Sequence, residues 1–194
     1  MILKICGITT AIDADAAIEA GANAIGFNFY PRSPRYLTPE RASEIVTAPG
    51  VRRVGVFVNE PRECVEEIAQ IARLDVAQLH GDEEPAEYPG AVAVWKAARV
   101  NGSFDWERYR VCPAEALLLD GPANGQTFDW TMAGSVDRRI IVAGGLDASN
   151  VGAAVQIVRP WGVDACSRIE SAPGRKDHRK MIEFLQAAKA ALLS

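Results

Sequence analysis

Two side chains able to move protons, the thiol of Cys6 and the carboxyl of Asp120, each stand at the end of a short apolar run, Leu3–Gly7 and Ala116–Asp120. A thiol with an ordinary pKa of about 8.5 is only a few per cent thiolate at neutral pH, so Cys6 acting as a base needs help from a neighbour such as Lys4. Asp120 follows Leu117-Leu118-Leu119, and partial desolvation by such a run favours the protonated, donating form of a carboxyl. One group to take a proton and one to give it would suit chemistry in which a proton leaves one side of a ligand and is delivered on another. The bland alternatives are a buried cysteine and an aspartate that caps a turn. A third feature is anion-directed. The Gly144-Gly145 pair and the stretch Cys166-Ser167-Arg168, with Ser171 to Gly174 behind it, suit a phosphate held by backbone N–H groups, although a Gly-Gly pair is also an ordinary tight turn.

Positioning these groups requires a repeated scaffold, and the hydrophobic pattern supplies one. Strands are expected at Leu3–Gly7, Ala24–Phe29, Arg53–Val58, Val76–Leu79, Val92–Ala97, Ala116–Asp120, Arg139–Ala143 and Gly162–Cys166. Eight such runs in 194 residues leave about 24 residues per unit, the length of a βα repeat, and apolar strands of this kind are buried on both faces of a parallel sheet. Helix signals fall between them. Thr10 with Asp13 resembles a capping box, Thr38-Pro39 opens a helix, and Asp147 is expected to cap the helix after the seventh strand. Apolar stripes at helical spacing run through Val65, Ile68 and Ile71 with Ala69 and Ala72, and through Ile182, Leu185 and Ala188. Short fourth and fifth helices fall around Pro85–Tyr88 and Phe104–Tyr109.

Eight βα units close into a barrel or spread into an open doubly wound sheet. Neither the Gly-x-Gly-x-x-Gly turn nor the Gly-Lys-Ser/Thr loop of nucleotide-binding open sheets occurs, which favours a single α/β TIM barrel over residues 1–194. Reactive groups of such barrels sit at the carboxyl ends of the strands. Alternation along a strand then turns Lys4 and Cys6 inward together, and likewise Gln78 and His80. Strands one and six lie three steps apart around the ring, so Cys6 and Asp120 are expected to face each other across the mouth.

Composition narrows the partners. A net charge of −4 and a pI near 5.3 argue against a nucleic-acid ligand and for a small molecule. No apolar stretch approaches the ~18 residues of a membrane span and the first ten residues lack a signal-peptide core, so a cytoplasmic location is expected. Cys6, Cys64, Cys112 and Cys166 are far apart and only His80 and His178 are available to join them; free thiols are expected, with no metal site. Oligomeric state stays open between monomer and homodimer.

Lys4-Ile5-Cys6-Gly7-Ile8-Thr9 resembles the opening motif of the phosphoribosylanthranilate isomerase family, and the likeness runs end to end. It continues through Gly26-Phe27-Asn28-Phe29-Tyr30-Pro31 with Ser33-Pro34-Arg35-Tyr36, Val54-Gly55-Val56-Phe57-Val58-Asn59, Gln78-Leu79-His80-Gly81, Leu118-Leu119-Asp120, Ala143-Gly144-Gly145-Leu146 and Pro173-Gly174-Arg175-Lys176-Asp177. The resemblance implies a small barrel of tryptophan biosynthesis. Its reaction is the cofactor-free Amadori rearrangement of N-(5-phosphoribosyl)anthranilate to 1-(2-carboxyphenylamino)-1-deoxyribulose 5-phosphate.

By the same resemblance, Cys6 is the general base at sugar C2 and Asp120 the general acid at the ring oxygen. Arg35 pairs with the anthranilate carboxylate through its forked donors, and Gly144, Gly145 and Ser167 hold the phosphate. His80 is left between a ligand contact and a hydrogen-bonded core histidine. One departure stands out: where the family reads Ser-Ser-Gly-Val-Glu, this chain reads Cys166-Ser167-Arg168-Ile169-Glu170. Glycine at such a turn usually supplies positive φ, so Arg168 is expected either to bear strain, to reach the phosphate or its rim, or to face solvent. A dual-substrate barrel that also acts on the aminoimidazole ribotide of histidine synthesis would usually end both strand one and strand five in aspartate, whereas strand one here ends in Cys6. A catalytically silent sugar-phosphate sensor would need neither proton-transfer group.

Overall fold

The computed structural model describes residues 1–101, 104–123, 125–133 and 137–193. Eight parallel strands close into a barrel: β1 (Ile2–Cys6), β2 (Ala24–Asn28), β3 (Arg52–Phe57), β4 (Val76–Leu79), β5 (Ala93–Arg99), β6 (Ala116–Asp120), β7 (Ile140–Val142) and β8 (Gly162–Ala165). Closure is made by β8 pairing with β1 in register Leu3↔Val163, Lys4↔Asp164, Ile5↔Ala165. The helices are α1 (Ala11–Glu19), α2 (Pro39–Glu44), α3 (Arg62–Ile71), α4 (Trp106–Arg110), α5 (Val151–Val158) and α6 (His178–Ala190). Short 3₁₀ turns at Pro85–Glu87 and Trp130–Ala133 follow β4 and β6, and a hairpin of β9 (Glu170–Ala172) and β10 (Arg175–Lys176) follows β8.

Period-two alternation divides the core. Leu3, Ile5, Phe27, Leu117, Leu119, Val142 and Val163 point outward to the helices, whereas Ala24, Val54, Val76, Trp95, Leu118 and Ile141 pack inside the barrel. Local chemistry fixes the surrounding helices. Thr10 Oγ1 accepts from the N–H of Asp13 at 3.1 Å, but the other half of the expected box is absent, because the Asp13 carboxylate faces His178 Nε2 at 2.7 Å and α6 instead. Thr38 caps α2 as expected, accepting from Arg41 N–H. The buried guanidinium of Arg53 donates to the carbonyl oxygens of Ala42, Ile45 and Ala72 at the ends of α2 and α3, of which Ala42 also accepts the Ile45 N–H, and so ties both helices to β3.

Several expectations are corrected at element ends. The fourth helix is the 3₁₀ turn Pro85–Glu87, and the fifth is α4, running Trp106–Arg110 rather than Phe104–Tyr109. Asp147 does not cap α5. Asn150 occupies that position, while the Asp147 carboxylate is held by Ser149 and Arg168. In α6 the buried face is Met181, Phe184, Leu185 and Ala188, with Ile182 on the exposed side; in α3 Val65 and Ala69 are buried and Ile71 is exposed. Among the described residues no helix is long and apolar enough to cross a membrane.

Candidate active site

The carboxyl ends of β1 and β8 bring a group of ionisable side chains into contact. Inside the barrel Lys4 Nζ lies 2.9 Å from Asp164 Oδ2, both residues buried, one layer below Cys6. Burial acts against the Lys4 charge, but Asp164 and Cys6 outweigh it and hold the ammonium protonated above its ordinary range. Asp164 is pushed up to about 7, chiefly by burial and further by the charges of Cys6 and Asp120, against the pull of Lys4. Its Oδ1, like Oε1 of Gln78, is buried without a hydrogen-bond partner.

Cys6 itself is buried, and its thiol is held well below the usual thiol range. The first cause is a hydrogen bond from the Cys166 thiol; the cations of Lys4 and Lys176 add to it and overcome desolvation. Cys166, the donor, is correspondingly raised. The help expected from Lys4 is therefore present, and a stronger contribution comes from Cys166, whose role the sequence reading missed.

Asp120 ends β6. Its Oδ1 accepts the N–H of Gly121 at 2.9 Å, and its Oδ2 lies 3.3 Å from His80 Nε2. His80 is thus beside the proposed acid rather than sealed in the core. The Asp120 side chain keeps 24% of its exposure and is thus partly buried, although Leu117 and Leu119 themselves face the helices.

Arg35 arrives on the loop between β2 and α2 and lies over Gly7, where an added Cβ would come 2.6 Å from Arg35 Cδ. Its Nε and Nη2 both donate to Glu170, at 2.8 and 2.6 Å, and Glu170 also receives Lys176 Nζ at 3.0 Å. Glu170 and Lys176 were not singled out from sequence. Lys176 lies in the visible motif Pro173-Gly174-Arg175-Lys176-Asp177 and Glu170 just before it, but the β9–β10 hairpin that brings the two together carries no local sequence signal.

Gly144 and Gly145 have φ of 78° and 65°, and a Cβ on either would overlap the loop that follows β6, at Gly121 and Gly125. The turn therefore requires glycine twice over. Ser167 opens a 3₁₀ turn, Ser167–Ile169, that contains Arg168. The strain considered for Arg168 is not found, since the described non-glycine residues with positive φ are Asn59, Arg73 and Arg159. Its guanidinium, half exposed, donates to Asp147 Oδ2 at 2.7 and 3.0 Å. A cleft of about 530 Å³ between this pair and α6, bounded by Ser149, Ser167 and Lys180, includes neither Cys6 nor Asp120. Among the described residues no group of three His, Cys, Asp or Glu side chains is arranged to hold a metal ion.

A closed eight-stranded parallel barrel with its ionisable groups gathered at the carboxyl ends of the strands defines a TIM-barrel enzyme. The family profile of N-(5'-phosphoribosyl)anthranilate (PRA) isomerase matches residues 3–187, and the chain belongs to that family. It is 69% identical over 198 residues to the N-(5'-phosphoribosyl)anthranilate isomerase of Solibacter usitatus (strain Ellin6076), covering 99% of both chains. Among solved structures it is similar to phosphoribosyl anthranilate isomerase from Thermotoga maritima, with TM-score 0.91 and 40% identity over 98% of this chain and 100% of that one. A second similar structure is a phosphoribosyl anthranilate isomerase in complex with reduced 1-(o-carboxyphenylamino)-1-deoxyribulose 5-phosphate, with TM-score 0.90 and 39% identity over the same shares.

Proposed function

We propose that Cys6 as general base and Asp120 as general acid carry out the reaction that family membership assigns to this chain in tryptophan biosynthesis, the isomerisation of N-(5-phosphoribosyl)anthranilate. Asp120 gives a proton to the furanose ring oxygen as the bond from C1 to that oxygen breaks, and the anthranilate nitrogen lone pair forms an iminium at C1. The iminium acidifies the C2 hydrogen. Cys6 thiolate removes it, the C–H electron pair forms the C1–C2 double bond of an enolamine, and tautomerisation gives the amino ketone 1-(2-carboxyphenylamino)-1-deoxyribulose 5-phosphate.

The observation that carries this reading is the position of Cys6 at the end of β1, one layer above the buried Lys4–Asp164 pair, where Cys166 and Lys4 hold its thiol below the usual range. A base that must act at neutral pH needs that environment. His80, 3.3 Å from Asp120, is positioned to orient the acid.

Arg35 is assigned to the anthranilate carboxylate. With Nε and Nη2 committed to Glu170, the Nη1 donors are the ones offered, so pairing is by one edge of a pre-oriented guanidinium rather than the whole fork. Backbone groups of the Gly144-Gly145 turn and Ser167 are assigned to the phosphate, with Arg168 at its rim under the control of Asp147. Mixing the protein with N-(5-phosphoribosyl)anthranilate and following anthranilate-type fluorescence tests the reading. Loss of the substrate signal with formation of the ketose product is expected, and no change in signal at saturating substrate would contradict it.

A further inference from the structure

Cys166 follows β8 and lies close to Cys6 at the seam that closes the barrel. The β1–β8 ladder runs Lys4↔Asp164, Ile5↔Ala165 and ends there, and Cys6 and Cys166 are the residues that follow its last pair on the two strands. Adjacent strands are about 4.8 Å apart, within the roughly 4.4–6.8 Å Cα separation that a disulfide spans. A Cβ added to Gly7 would lie 3.0 Å from Cys166 Sγ and one added to Gly26 2.9 Å from Cys6 Sγ, so each sulfur is confined by a glycine. Lys176 Nζ stands 3.8 Å from Cys166 Sγ.

We propose that Cys6 and Cys166 form a cross-strand dithiol that hydrogen peroxide closes into a disulfide, a modification site at the mouth of the barrel. The chemistry balances in two steps. Cys6 thiolate attacks one peroxide oxygen, the S–O bond forms as the O–O bond breaks, and the departing hydroxide takes a proton to become water. Cys166 sulfur then attacks the Cys6 sulfenic acid, the S–S bond forms, and the hydroxyl leaves as water with the Cys166 proton. Two thiols are oxidised by two electrons and one peroxide is reduced to two waters.

The ordering of the steps follows from the site. Cys6 is the thiol favoured as thiolate, so it reacts first. Cys166 is held protonated mainly by its hydrogen bond to Cys6 and by burial. Conversion of Cys6 to a neutral sulfenic acid removes the first of these causes, and the Lys176 ammonium then favours the second thiolate. Loss of turnover on closure rests on the assignment of Cys6 as base; formation of the bond does not.

The test is peroxide treatment of the folded full-length protein, trapping of remaining thiols with N-ethylmaleimide, and non-reducing tryptic mapping in denaturant. The expected result is a joined pair of peptides 5–32 and 140–168, a mass lower by about 2 Da, and full reversal by dithiothreitol. The Cys166→Ser variant should instead carry oxygen on Cys6 and recover incompletely. Oxygenated Cys6 without the joined peptides in the parent protein would overturn the proposal, as would two free thiols after peroxide. If the joined peptides form while turnover persists, the dithiol stands and the base assignment falls.

Discussion

At the amino end of the barrel Glu115 accepts from Arg52 at 2.8 Å, from Arg139 at 3.1 Å and from the Trp95 indole at 2.9 Å, beneath a Trp95–Trp161 edge contact covered by both arginines. At the carboxyl end, Cys6, Asp120 and His80 are gathered over a layer in which Asp164 Oδ1 and Gln78 Oε1 have no partner. The first end gathers its charges on one carboxylate and closes the barrel; the second also pairs its charges, Lys4 with Asp164 and Arg35 with Glu170, but leaves two buried oxygens without a partner. On the proposed assignment of Cys6 and Asp120 as the proton-transfer groups, the chemistry belongs to the second end, and the cluster at the first serves stability.

The largest separation is expected at the mouth. Asp120→Asn should lower kcat by about 10²–10⁴-fold, because the amide keeps the shape but has no acidic proton, while the urea midpoint stays close to the parent. A loss of less than about threefold would remove Asp120 from the acid role. Cys6→Ser should lose activity by a similar factor, about 10²–10⁴-fold, since a hydroxyl is a far weaker base at neutral pH. Arg35→Ala should raise KM by about tenfold or more with a smaller change in kcat, as expected for a contact made in both ground and transition states. An unchanged KM would release Arg35 from the anthranilate end.

The amino end should respond the other way. Glu115→Ala leaves two guanidinium groups and an indole N–H without their acceptor and is expected to cost about 1–3 kcal/mol in urea unfolding, with kcat/KM unchanged. The smallest effects are in pH dependence, and their signs differ between the two layers. Glu115 is held below its ordinary value despite partial burial, by Arg52, Trp95 and Arg139, so its contribution to stability is present above the ordinary glutamate pKa and is lost as pH falls below it. Asp164 is raised to about 7, so its contribution is present below the ordinary aspartate range and is lost as pH rises through about 7. Urea midpoints across this range should show Glu115→Gln removing an acid-side decline and Asp164→Asn removing a neutral-side one. Exchange of the two patterns would refute the division between the layers.

Much of the scaffold was legible because barrel strands buried on both faces are continuously apolar, as in Ala116–Asp120, which matches its sequence-based bounds. Strand ends shifted where register decides them: β7 pairs only over Ile140–Val142 and excludes both Arg139 and Ala143. Cys6, Asp120 and the Gly144-Gly145 turn were legible as strand-end residues. Arg35–Glu170, separated by 135 positions, and the approach of Cys166 to Cys6 left no local signal, since both depend on how the chain turns after β8. The strain considered for Arg168 came from a family glycine, and the 3₁₀ turn there accommodates an ordinary side chain.

The most direct test of the division of roles is to titrate the Cys6 thiolate by its ultraviolet absorbance, as a difference against Cys6→Ser, and to measure kcat/KM over the same pH range. The two curves should inflect together below the ordinary thiol range, and in Cys166→Ala both should move upward in pH together. If kcat/KM inflected at a pH where the thiol does not titrate, or stayed fixed while the thiol moved, Cys6 would not be the base.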